Sequence, residues 1–273
     1  MAVTREDISK AIKILGLSQK PICVHSSLRS FGWVEGGAEG IVQCFLDQGC
    51  TILVPTFSWI YSEVPPIEFR PRRNGCGDYS WVATKEQKAS EIYNPECNEI
   101  DKQDMGAIPS AILRMRNRKR GNHPLNSFTA IGLLAEKLIT KQQPNNVYAP
   151  LRTLAELDGE VVLMGVGLKR MTALHLAEQM AGRNMFRRWS KDLSGAPIMV
   201  EVGGCSDGFI NFESLFAPFE KNLTVGNSNW RVISMNKILN IVHEAITQNP
   251  LITHCGDSSC DRCNDAVLGG PIL

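Results

Sequence analysis

The sequence predicts an α/β protein folded as one domain over residues 1–273, and three observations carry that expectation. Apolar runs of strand length alternate with apolar stripes at helical spacing, at 21–57 and again at 160–182. The 273 residues, 43% hydrophobic and 21% charged, have ordinary globular composition and can fill a large core. No internal repeat and no low-complexity linker divides the chain into two smaller units.

Taken in order, Thr4-Arg5-Glu6-Asp7 starts a helix, with Ile8, Ile12, Ile14 and Leu15 behind it and Gly16 as its stop. Pro21 to Ser27 reads as a short buried strand with a polar end. A Gly-rich loop, Gly36-Gly37-Ala38-Glu39-Gly40, then opens a helix through Leu46, and Thr51 to Phe57 is a second strand. If the two strands are parallel, their crossover is right-handed. Periodicity fails over an irregular insertion at about 58–103, rich in Pro and Gly. Its aromatics (Trp59, Tyr61, Phe69, Tyr79, Trp81, Tyr93) argue against simple disorder and for a lid or substrate-side wall. Helical patterns return at Ile108–Leu113 and Leu133–Ile139. Glu160 to Val166 is a clear buried strand, and Thr172 to Gly182 a helix. Ile198–Val202 and Trp230–Ser234 are shorter strands, Met235–Thr247 is an apolar-periodic helix, and a cysteine-bearing tail follows.

Lys and Arg number 29 against 28 Asp and Glu, a formal net charge of +1. Such a balance supplies no whole-protein field for nucleic acid or an anionic membrane, so neither partner is expected. The best apolar run, Cys50 to Phe57, is strand-sized, and the start Met1 to Asp7 lacks the apolar region of a signal peptide. A cytoplasmic location is therefore expected, with the nine cysteines as reduced thiols.

Four segments could carry chemistry. Val24-His25-Ser26-Ser27-Leu28, followed by Gly32 and Gly36-Gly37, puts small hydroxyls and glycines at a strand's carboxyl end, where backbone N–H groups approach an anion such as a pyrophosphate. It matches neither the P-loop nor G-x-G-x-x-G, and such a segment is more often only a turn. Arg120-Gly121-Asn122-His123-Pro124, with Ser127 nearby, sets a histidine ahead of a proline, where its ring can project from a loop. By spacing alone a surface histidine is the better reading. The run Arg114, Arg116, Arg118, Lys119, Arg120 is a solvated face or a phosphate holder.

In the third segment, Thr172-Ala173-Leu174-His175-Leu176-Ala177-Glu178, His175 lies one helical turn from both Thr172 and Glu178. The carboxylate can orient the imidazole or stabilise its protonated form, as a general base requires. H-x-x-E is not the zincin motif, and a surface salt-bridge pair is the bland alternative. In the fourth, His254, Cys255, Cys260 and Cys263 could supply four zinc ligands. Only one C-x-x-C knuckle is present, however, so no metal is expected and unligated thiols are favoured.

The order of these segments, together with Met105-Gly106-Ala107-Ile108-Pro109 and R-x-x-H-P-x-x-S running on to Ala130 and Gly132, resembles the aminoglycoside 3-N-acetyltransferase family over roughly 20–240. The resemblance implies a twisted central sheet flanked by helices, the antibiotic N-acetyltransferase architecture, distinct from the commoner acetyltransferase fold. It implies acetyl-CoA as co-substrate and an amine of a 2-deoxystreptamine antibiotic as acceptor. Carried over by position, it gives Ser26, Ser27, Leu28, Gly36, Gly37, Ser127 and Thr172 to the cofactor, and His175 with Glu178 to acid–base work, with His123 competing or assisting. A divergent or non-catalytic CoA-binding protein is the alternative. No run of adjacent acids suits a polycation; Glu35, Glu63, Glu99, Asp101, Asp104 and Glu178 are merely spaced.

Overall fold

The computed structural model describes residues 2–84 and 91–273, so the part of the expected insertion at 85–90 lies outside the described residues. Strand alternation builds the core. In β1 (Pro21–Ser26), Ile22 and Val24 enter one apolar cluster while Cys23 enters the other. The same division holds in β2 (Thr51–Pro55), with Ile52 and Val54 opposed to Leu53. With both faces buried, these strands read as continuous apolar runs, which is what parallel pairing between helical layers requires.

The remaining strands are β3 (Lys119–Arg120), β4 (Phe128–Ile131), β5 (Glu160–Met164), β6 (Phe186–Lys191), β7 (Pro197–Val202), β8 (Lys221–Val225) and β9 (Ser228–Ser234). Seven form one mixed sheet in the order β3-β4-β2-β1-β5-β9-β8, while β6 and β7 form a separate hairpin. β1 is parallel to β2 and β5; the outer pairings are antiparallel.

One face is covered by α1 (Arg5–Ile14), α2 (Gly37–Asp47) and, beyond the short α3 (Lys102–Met105), α4 (Ala107–Arg114), through Ile8, Ile12, Ile41, Phe45, Ile108 and Ile112. The expected capping box is present: Thr4 and Asp7 each bond the other's backbone N–H, satisfying two orphan donors of α1. On the other face lie α5 (Ala135–Ile139), α6 (Ala149–Glu156), α7 (Ala173–Met180) and α9 (Met235–Gln248), packed through Leu138, Leu151, Leu174, Ile238 and Val242. The short α8 (Glu213–Phe216) and the terminal α10 (Asp261–Val267) complete the order. The α/β expectation of a central sheet flanked by helices therefore holds. No described helix is long and apolar enough to cross a membrane.

The described part of the insertion is ordered by polar contacts. Arg118 and Arg120, expected on a solvated face or at phosphates, turn inward. Arg118 donates to the carbonyls of Leu113, Pro95 and Glu96, and Arg120 to those of Thr56, Cys97 and Glu99 (2.7–3.0 Å). Arg120 also lies over the Tyr93 ring. Further along, Asn74 bonds both backbone groups of Arg187 on β6, and Tyr61, Tyr93, Leu125, Phe186, Val200 and Val202 form a third apolar cluster. The described part of the segment packs on the hairpin.

Candidate functional site

The parallel strands β1, β2 and β5 end on one side of the sheet, and the chain leaves β1 toward β2 on one flank and later returns through β5 on the other. Such a switch point leaves a crevice beyond the carboxyl ends of the strands. A cleft of about 1620 Å³ opens there, lined by Ser26, Ser27 and Leu28 after β1, Phe57 after β2 and Gly165 after β5. The start of α2 (Gly36, Ala38, Glu39) forms one rim. Gly36 adopts φ +71°, and α2 starts at this rim with no side-chain cap. Gly37 sits in that first turn but is not part of the cleft wall.

The first turn of α7 brings Thr172 and His175 to the opposite wall. His175 Nδ1 is 2.8 Å from Glu178 Oε2, the i,i+3 contact the sequence spacing predicts, and both side chains are buried. Glu178 Oε1 accepts from Arg183 Nη1 (2.7 Å), and Arg183 is held in turn by Thr253 Oγ1 and the Pro250 carbonyl. With Arg183 on its other oxygen, Glu178 faces Nδ1 as an acceptor, and the tautomer that donates from Nδ1 leaves the lone pair on Nε2. No described protein group bonds Nε2. The imidazole is clamped between the Tyr148 ring, stacked at 6.2 Å, and Phe209 at 4.7 Å. Behind it, Gly203 approaches so closely that a Cβ there would meet His175 Cδ2 at 2.6 Å and the Tyr148 hydroxyl at 2.5 Å.

Two expected residues are not brought to this site. His123 is fully buried outside the cleft wall; its Nδ1 accepts from the N–H groups of Leu125 and Asn126, and its Nε2 donates to the Glu201 carbonyl. Burial pushes its pKa down to about 4. The ring closes the turn it stands in and does not project from it, so it is not brought to the cleft with His175. Ser127, expected at the cofactor, is also buried away from the cleft, donating to the Thr56 carbonyl and accepting from Arg120 Nε.

The tail also differs from expectation. His254 turns to Asn264 and to the Gly256 N–H, while Cys205 joins Cys255, Cys260 and Cys263 in one cluster.

Several site residues escaped the sequence reading. Tyr148 and Asn126 line the cleft, and the Tyr148 hydroxyl and Asn126 Oδ1 are buried with no partner among the described residues. His25, at the end of β1, lines the cleft with its pKa lowered to about 4 by burial and by Arg170. Cations predominate on the wall: Arg29, Lys102, Arg114, Lys169, Arg170, Arg188 and Arg262. Among the described residues, Glu39 and Asp104 are the acids facing them, and the other spaced acids of the sequence lie off the wall.

The family model of aminoglycoside 3-N-acetyltransferases matches residues 23–247. The chain is 32% identical to an aminoglycoside N(3)-acetyltransferase IX of Micromonospora chalcea over 189 residues, which cover 66% of this chain and 63% of that protein. It thus spans less than two thirds of that relative. Among solved structures, the apoenzyme of aminoglycoside acetyltransferase AAC(3)-IVa superposes with a TM-score of 0.77 at 24% identity, covering 98% of both chains. A binary complex described as AAC-IIIb with CoASH gives a TM-score of 0.73 at 19% identity, covering 91% of this chain and 97% of that one. At these identities the likeness establishes the fold.

Proposed function

This chain belongs to the aminoglycoside 3-N-acetyltransferase family, and from that premise we propose that it moves an acetyl group from acetyl-CoA directly to an amine of an aminoglycoside, the 3-amino group of 2-deoxystreptamine. One observation carries the reading: a buried Arg183–Glu178–His175 relay that delivers an unengaged Nε2 to the cleft. At neutral pH the acceptor arrives as an ammonium ion, which cannot attack a thioester. His175 Nε2 takes its proton, Glu178 steadies the imidazolium through Nδ1–H, and Arg183 keeps the carboxylate from rotating. The amine then attacks the thioester carbonyl and loses its second proton to solvent, and the imidazolium returns its proton to the CoA sulfur as the tetrahedral adduct collapses to amide and CoASH. No covalent enzyme intermediate is needed, because holding both substrates in one crevice supplies the proximity.

The donor lies along the strand ends in this reading. Ser26, Ser27, Leu28, Thr172 and the rim of α2 at Gly36 meet pantetheine and pyrophosphate, while Arg29, Lys102, Arg114 and Arg170 neutralise phosphate. The CoASH complex of AAC-IIIb supports this choice of donor, and AAC(3)-IVa complexes with a gentamicin and with apramycin support the acceptor class. A cytoplasmic location, where acetyl-CoA is made, fits nine cysteines that are all free.

A second reading rests on the wall charge: with Glu39 and Asp104 as its described acids, the cleft suits a less cationic amine, or CoA alone. Incubation with acetyl-CoA and a panel of aminoglycosides and simpler amines, following free thiol, separates the two. Release with aminoglycosides supports the first reading, release with simpler amines the second. CoA binding with no release from any amine would exclude transfer altogether.

A further inference from the structure

The sulfur cluster lies outside the reaction described above. Cys205 follows β7 in the turn Gly203-Gly204-Cys205, and the other three thiols come from the tail some fifty residues later. Their Sγ atoms all lie within 4.8 Å of one another. Four thiolates around one tetrahedral zinc at Zn–S of about 2.3 Å stand about 3.8 Å apart, so a small contraction completes the geometry.

We propose that Cys205, Cys255, Cys260 and Cys263 form a structural zinc site that fastens the tail to the cleft wall. Two further features fit a bound ion. The Cys255 N–H points at Cys263 Sγ (3.4 Å), as backbone donors do toward metal-bound sulfur, and Gly256, at φ +88°, turns the chain between the first two tail ligands. The competing donors are engaged elsewhere. Both His254 ring nitrogens have partners, and Asp257 Oδ1 is taken by Ser259. An all-sulfur set around a single point selects zinc over the harder cations, and it leaves no open position for water or substrate. Disulfides would join the sulfurs only in pairs, at about 2.05 Å. Binding replaces the thiol protons, which pass to solvent, by one metal ion with no change of oxidation state.

The consequence is positional. Cys205 is two residues from Gly203, which backs His175, and Arg262, between two ligands, reaches the cleft wall. The zinc would hold both at fixed distance from the general base.

The test uses the full chain expressed with zinc and purified without chelator. Elemental analysis should find near one zinc per chain. Cys205→Ser should lower that at least fivefold, while His254→Ala leaves it unchanged. Exchange of wild-type protein into cobalt(II) should give intense tetrahedral bands with strong sulfur-to-cobalt charge transfer, a readout that survives if Cys205→Ser does not fold. Failure to take up zinc or cobalt, iron in their place, a mass showing paired disulfides, or zinc lost with His254 and kept without Cys205 would each overturn the assignment.

Discussion

Replacing Gly203 by alanine tests the placement of the base proposed above separately from its chemistry. Gly203 has no positive φ, so an added methyl group brings no backbone strain and acts only through contact. Its Cβ would lie 2.6 Å from His175 Cδ2, and ordinary contact begins near 3.4 Å, so the imidazole edge must retreat by about 0.8 Å. The ring has little freedom to do so, since Nδ1 is held to Glu178 at 2.8 Å and Phe209 packs on its face. A displacement of about 1 Å at a reacting group costs about 10²-fold in rate, and overpacking costs about 1–3 kcal/mol in stability. Steady-state thiol release at saturating acetyl-CoA should therefore show kcat about a hundredfold lower. KM for acetyl-CoA should stay nearly constant if the donor lies along the strand ends, as proposed. A folded Gly203→Ala protein with kcat within threefold of wild type would refute the idea that this contact positions the base.

Glu178→Gln keeps shape but offers an amide N–H to Nδ1 and moves the imidazole proton to Nε2; kcat should fall on the order of 10³-fold. Retention of a tenth of the activity would remove the carboxylate from the relay. Tyr148→Phe deletes a buried hydroxyl with no protein partner, so the melting transition should correspond to about 1 kcal/mol more stability while turnover falls. A loss of stability would show that the hydroxyl is already satisfied. His25 and His123, with pKa values lowered to about 4, stay neutral when folded but take up a proton on unfolding below about 6.5. Their stabilising share is complete above pH 6.5 and is lost as pH falls toward 4, at about 2 kcal/mol per histidine by pH 5. Urea midpoints from pH 7 to 5 should slope accordingly and flatten in His123→Gln; identical slopes in both proteins would contradict it.

What could be read from the sequence was what lies close along the chain. The β1–α2–β2 unit announced itself through two buried strands and a Gly-rich helix start, and His175–Glu178 through a spacing that any helix turns into contact. Arg183 was missed because it follows the helix end at Gly182, where periodicity says nothing about direction. Tyr148, Asn126 and Gly203 reach the site through tertiary packing, from 27, 49 and 28 positions away. The same limit hid Cys205, fifty residues from the tail thiols. His123 was misread for the opposite reason. Its proline suggested a projecting ring, but the nearest unsatisfied donors were the N–H groups two and three residues ahead. The hairpin strand β6 was invisible because Arg187 and Arg188 interrupt its apolar pattern.

Arg118 and Arg120 grip the wall segment by carbonyl oxygens between residues 95 and 99, groups that every amino acid presents alike. Those bonds do not depend on the side chains at 95, 96 and 99, while Cys97 Sγ, Asn98 Oδ1 and the Tyr93 ring add contacts that do depend on residue type. Side chains at 95, 96 and 99 can therefore change while the carbonyl anchors of this stretch persist, so its surface can drift one residue at a time without first destabilising the scaffold.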